Sequence, residues 1–221
     1  MTTPEFNKWC SSYNVSCFGI LPGYVEEGWR GLVAVEDIEQ DSVILRVPEH
    51  ALITRQNALK DPIFSEAVTQ SLCHSLPSTS ILSAFLLYEM SKGQKSKWHP
   101  YLSQLPRSYS SLSYMDKASA SQLQMSYAVD VALSEIESLR NAWLSASPLL
   151  KALGLPRNFL SLVSWRWSSC TIASRTMFMS EDPVGGALTP IGDLANFRPP
   201  SPPHTPTVVV FHGEGGEEGG G

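Results

Sequence analysis

Glu26-Glu27-Gly28-Trp29-Arg30-Gly31-Leu32-Val33-Ala34-Val35 sets two glycines immediately ahead of an apolar run. Glycine reaches positive φ and carries no Cβ, so such a turn lets backbone N–H and C=O groups come close to a small molecule. The stretch reads either as a ligand loop or as a tight turn that binds nothing, and its length alone decides neither. Downstream, Leu32 to Val35 fits a short strand buried on both faces, Glu36 to Asp41 a polar turn, and Ser42 to Val47 a return strand that Pro48 ends. The expected unit is a hairpin whose first strand begins at the glycine loop. Upstream, Pro4 to Cys10 with Phe6 and Trp9 spaced three apart fits a short amphipathic helix, and Val15 to Leu21 a short strand.

After Thr54 the apolar period changes from two to about 3.6. Asp61 and Pro62 form a cap and first helical residue ahead of Ile63, Phe64, Val68 and Leu72. Ser78 or Thr79 caps a second helix with Ile81, Leu82, Phe85, Leu86 and Met90, which Gly93 stops. Trp98-His99-Pro100-Tyr101-Leu102-Ser103-Gln104-Leu105-Pro106 reads as an aromatic turn between prolines. Asp116 is expected to cap a long helix through Leu139, and Asn158 another with Phe159, Leu162, Val163 and Trp165. A helical block therefore follows a β hairpin.

Composition bounds the function classes. With 221 residues and 43% hydrophobic content the chain has material for a real core, as one large domain or two small ones. A formal net charge of -5 and dispersed Lys and Arg argue against direct nucleic-acid binding. Cys10, Cys17, Cys73 and Cys170 show neither CxxC pairs nor a disulfide framework and read as reduced thiols. His50, His74, His99, His204 and His212 stand at no ligand spacing, so no metal is assigned. No apolar run reaches bilayer length, and no secretory or basic, Ser-rich leader is evident. The expected compartment is intracellular, cytoplasmic or nuclear, with an organelle left open; oligomeric state is not legible.

The chemistry candidates come late: Ser174-Arg175-Thr176, the turn Asp182-Pro183-Val184-Gly185-Gly186, and Pro190-Ile191-Gly192-Asp193-Leu194-Ala195-Asn196-Phe197. Taken singly, Arg175 can neutralise a helix C-terminus and Asp193 and Asn196 can cap a turn. Four pieces in order carry more information than any one of them. Gly28-Trp29-Arg30-Gly31-Leu32-Val33-Ala34, Trp98-His99-Pro100-Tyr101-Leu102 with Leu105-Pro106, Ser174-Arg175-Thr176, and Pro190 to Phe197 follow one another here. In that order they resemble the SET-domain methyltransferases similar to the Rubisco large-subunit lysine methyltransferase, over approximately residues 5 to 197.

The resemblance implies an α+β fold, a β-rich SET domain interrupted by a helical insertion. Residues 1–57 would be its N-terminal part, 58–157 the insertion and 158–197 its continuation with the donor-site motif. It implies S-adenosylmethionine as methyl donor and a protein side chain, usually lysine, as acceptor. Carried over, Glu27, Gly28, Arg30 and Gly31 would hold the donor largely through backbone. Arg175 would pair with its carboxylate, where a guanidinium fork fits planar oxygens. Asn196 would take its ammonium or carboxylate region, with Phe197 beside it, and Asp193 would support the loop that shapes the site. Trp98 and Tyr101 are assigned to packing, and no catalytic residue is assigned.

Two departures from the family pattern matter. Its usual Asn-His pair reads Asn196-Phe197, and no tyrosine follows Tyr127, where the family places a catalytic tyrosine after this motif. Residues 198–221, rich first in Pro and then in Gly and Glu, are expected to form a disordered tail with a short apolar patch at Val208 to Phe211. The chain is thus expected to be a C-terminally truncated SET domain. Two functions follow: a protein-lysine methyltransferase completed in a longer product, or an inactive fragment acting as a protein-binding module.

Overall fold

The computed structural model describes residues 2–26 and 29–196; the expectations for Glu27, Gly28, Phe197 and the tail lie outside the described residues. The chain opens with helix α1 (Pro4–Ser12), for which Thr3 accepts the Phe6 amide and Pro4 presets the first turn. Its buried face is Phe6, Trp9 and Cys10. Strands β1 (Ser16–Cys17), β2 (Ile20–Glu26), β3 (Trp29–Ala34) and β4 (Leu45–Arg46) follow.

Their pairing corrects the sequence reading. β3 is the second strand of its hairpin, antiparallel to β2 with Gly23 opposite Gly31. The expected return strand shrinks to β4, which pairs with β1. β3 also has only Gly31 fully buried, so the apolar run is not a strand covered on both faces.

Strand β5 (Ile53–Thr54) leads into α2 (Arg55–Lys60), capped by Thr54, and then α3 (Pro62–Gln70), where the Phe64 amide reaches Asp61 at 3.0 Å. Helix α4 (Ser78–Ser91) is buried all round, with Ile81, Leu82, Phe85 and Leu86 at the centre of the core. The turn α5 (His99–Leu102) sets Tyr101 against α1, its ring stacked at 6.3 Å from Phe6 and 6.5 Å from Trp9.

Asp116 caps only the single-turn α6 (Lys117–Ala120); the long helix α7 begins later (Ser126–Ala152). Short hydroxyl side chains in between bond their own backbone, as Ser121 does to the Lys117 carbonyl, and so favour a turn over a continuing helix. Asn158 lies in a 3₁₀ turn, and Ser161 caps α8 (Leu162–Arg175) instead. α8 packs against α4 closely enough for the Ser168 hydroxyl to reach the Ser83 carbonyl at 2.7 Å.

Strands β6 (Thr176–Met177) and β7 (Ala187–Leu188) complete the described elements. β7 lies between β5 and β6, with Leu188 opposite both Ile53 and Thr176. This small sheet sets the end of α8 beside the 3₁₀ turn Gly192–Leu194. Helices and short strands thus mix, as the α+β expectation requires. Among the described residues no helix is long and apolar enough to cross a membrane.

Candidate functional site

Arg175 is the last residue of α8, and its helix hands over directly to β6. The register Thr176 opposite Leu188 brings the segment after β7 back across the helix end. That segment turns at Ile191, a β-branched residue at φ 69, a backbone conformation such residues rarely adopt. The next residue must be small: a Cβ on Gly192 would lie 2.7 Å from the Met177 sulfur and 2.8 Å from the Thr189 methyl. The Asp193 amide bonds the Thr189 carbonyl at 2.9 Å, and the carboxylate that results points at Arg175.

Arg175 Nη1 donates to Asp193 twice, at 2.9 Å to its carbonyl and 3.0 Å to Oδ2. Tyr101 donates its hydroxyl to the same Oδ2 at 3.1 Å. The Asp193 side chain is 3% exposed, and burial pushes its carboxyl above the usual range, against the opposing pull of Arg175, Tyr101 and Arg30. Burial also opposes the charge on Arg175, but Asp193 outweighs it and holds the guanidinium protonated. Arg175 Nε is buried and has no hydrogen-bond partner among the described residues.

The hairpin closes the other side. Arg30 reaches the Gln104 carbonyl through Nη2 at 2.7 Å, and its own carbonyl accepts the Asn196 side-chain amide at 3.2 Å. Gly31 lies under that amide, where a Cβ would sit 2.5 Å from Asn196 Nδ2 and 2.8 Å from Val25 Cγ1. Arg30, Gly31, Asp193, Arg175 and Asn196, widely separated in sequence, therefore form one connected cluster. Glu27, Gly28 and Phe197 lie outside the described residues.

Two connections escaped the sequence reading. The sequence assigns Tyr101 to packing, and its ring does pack, but its hydroxyl also bonds Asp193. The available signal was that a buried tyrosine requires an acceptor. The Gln104 carbonyl that anchors Arg30 has no side-chain signature.

No protein-family model matches the chain. The Arabidopsis thaliana protein SET DOMAIN GROUP 40 is 38% identical over 194 residues, which are 86% of this chain and 39% of the relative. The solved SET domain of LSMT bound to methyllysine and AdoHcy superposes with a TM-score of 0.71 at 24% identity, over 88% of this chain and 45% of that one. The chain is similar to a SET-domain protein over most of its length and has the SET-domain fold.

Rubisco LSMT bound to AdoMet matches this SET-domain chain with a TM-score of 0.68 at 25% identity, over 87% of it. The human actin-histidine N-methyltransferase is 26% identical over 203 residues, 87% of this chain and 34% of the relative. The SET-domain chain thus spans between a third and two-fifths of the curated relatives named here.

Proposed function

We propose that this chain carries the donor-holding part of an S-adenosylmethionine-dependent protein N-methyltransferase, with lysine as the expected acceptor. The observation that supports it most is Arg175: a half-buried guanidinium with one nitrogen committed to Asp193 and a buried Nε without a partner among the described residues. Leaving a buried donor unused costs about 1 to 3 kcal/mol, so a ligand carboxylate that accepts from it gains that margin. Gly31, without a side chain, lets the Asn196 amide reach the Arg30 carbonyl and so keeps the two segments of the proposed donor site together.

In this reading Glu27, Gly28, Arg30 and Gly31 offer backbone groups to the donor, Arg175 takes its carboxylate, and Asn196 with Phe197 borders its amino-acid end. Asp193 keeps Arg175 in place. The bound sulfonium supplies an activated methyl group, so the protein's task is alignment, exclusion of water and acceptance of a neutral amine. A lysine starts near pKa ~10.4, and desolvation favours loss of its proton. Residues 1–57 and 158–197 would form the SET part, 58–157 its helical insertion and 198–221 a tail. A protein is the proposed substrate partner, in keeping with the acceptor chemistry of the two methyltransferase relatives.

Calorimetry of S-adenosylmethionine against the 221-residue chain tests this, together with methyl incorporation into candidate proteins. The wild-type chain is expected to bind the donor. Arg175→Lys, which keeps the charge but not the fork, is expected to weaken binding at least tenfold. Equal affinity in the two proteins would overturn the assignment.

A further inference from the structure

We propose that Tyr101 is a positioning residue for the donor site, holding Asp193 so that Asp193 can hold Arg175; this rests on the function proposed above. The Arg175 to Asp193 contact is a single Nη1–Oδ2 bond, backed by the Asp193 carbonyl, rather than a two-point fork. One such bond leaves the carboxylate free to turn about its last torsion. Tyr101 donates to the same Oδ2 from a different element, at 3.1 Å, and two donors on one oxygen fix its place.

Tyr101 is itself immobile. It is 1% exposed, its ring is stacked with Phe6 and Trp9, and the Trp9 indole N–H is tied to the Lys97 carbonyl at 2.6 Å. What reaches Asp193 is the hydroxyl; the rings of α1 pack behind it and contribute stability. On the far flank Tyr109 bonds the Thr171 hydroxyl at 2.9 Å, within reach of the Arg175 charge.

A purely structural reading holds that Asp193 merely satisfies a buried tyrosine. The two readings differ in what happens to the carboxylate when the hydroxyl is removed. The charged groups facing Asp193 are Arg175 from α8, Arg30 from β3 and the titratable Tyr101 from α5, with Tyr109 beyond. A donated hydrogen bond favours the ionised carboxylate, so its loss moves Asp193 titration to higher pH. Donor binding that needs Arg175 in place then fails at higher pH too.

The test compares the 221-residue chain with Tyr101→Phe and with Phe6→Leu, which disturbs the stack but keeps the hydroxyl. Carboxyl-carbon NMR follows Asp193, and calorimetry follows S-adenosylmethionine affinity, both across pH 4 to 9. Tyr101→Phe is expected to raise the Asp193 midpoint, shift the acid limit of donor binding upward with it, and weaken affinity about five- to tenfold. Phe6→Leu is expected to lower thermal stability and leave both midpoints in place. Unchanged midpoints in Tyr101→Phe, or equal shifts in both variants, would overturn the proposal. A wild-type chain that binds no donor while Asp193 still shifts in Tyr101→Phe would overturn the donor reading and leave the hold on Asp193 standing.

Discussion

The Asn196 side chain donates to the backbone carbonyl of Arg30 across a separation of 166 residues. This one bond ties the last described residue of the chain to the second strand of its first long hairpin, directly over Gly31. The hairpin and the segment after β7 are therefore two walls of one site. Their spacing is set by what Gly31 lacks.

Gly31→Ala separates site geometry from stability. The new Cβ would meet the end of the flexible Asn196 side chain at 2.5 Å and a methyl of the stiffer, β-branched Val25 at 2.8 Å. Asn196 is exposed and can swing aside while Val25 must shift slightly, so unfolding free energy should fall by about 1 kcal/mol. The Asn196 bond to Arg30 is lost, and S-adenosylmethionine affinity should fall at least tenfold by calorimetry. A large loss of stability without a change in affinity would count against the shared wall.

Trp98→Phe tests the anchor between the aromatic turn and the segment before β5. The buried indole N–H bonds the Ala51 carbonyl at 3.0 Å, and its ring meets Phe85 edge-on at 5.7 Å. Phenylalanine leaves that carbonyl without its donor and a gap beside Phe85. Urea unfolding should show a loss of about 2 to 4 kcal/mol.

What the sequence made legible and what it hid divide along a physical line. Local chemistry was legible: Asp61 and Pro62 open α3, and α4 is buried along the residues its apolar pattern marks. Pairing was not. Gly23 faces Gly31 across the hairpin, and two residues without side chains leave no pattern from which to infer a partner strand. Helix starts slipped where several hydroxyl residues compete, as Ser161 took the capping role expected of Asn158. Arg175 and Asp193 stood out individually, but their mutual contact depends on the β6–β7 register, which no local signal carries.

Alkaline pH should unfold the chain through groups buried in α1 and α5. Burial pushes the Cys10 thiol up to about 12, with Cys17 adding in the same direction, and Tyr101 is also raised by burial and by Asp193. The native state keeps these protons where the unfolded chain has lost them. The contribution is therefore complete below about pH 8.5 and declines above it, by about 1.4 kcal/mol per pH unit for the thiol alone. Tyr101 steepens the decline above about pH 10. Urea titrations between pH 7 and 10.5 should show the fall, and Cys10→Ala should flatten it between pH 9 and 10.5; parallel curves would contradict the burial of this thiol.

Arg175 and Asp193 should be strongly coupled. Asp193 is 3% exposed at its side chain and Arg175 18%, so removing one partner leaves the other charge in a poorly solvated place. Arg175→Ala alone should cost about 3 to 5 kcal/mol, because the buried Asp193 carboxylate then keeps only the Tyr101 hydrogen bond and the Arg30 charge. Asp193→Ala should be comparably harmful, since Arg175 Nε already lacks a partner. The double variant removes both buried charges, and its cost should fall short of the sum of the single costs by about 1 to 3 kcal/mol. Additive costs in urea unfolding would mean that the two side chains act independently. In that case Asp193 could not be what holds the guanidinium in place for a ligand.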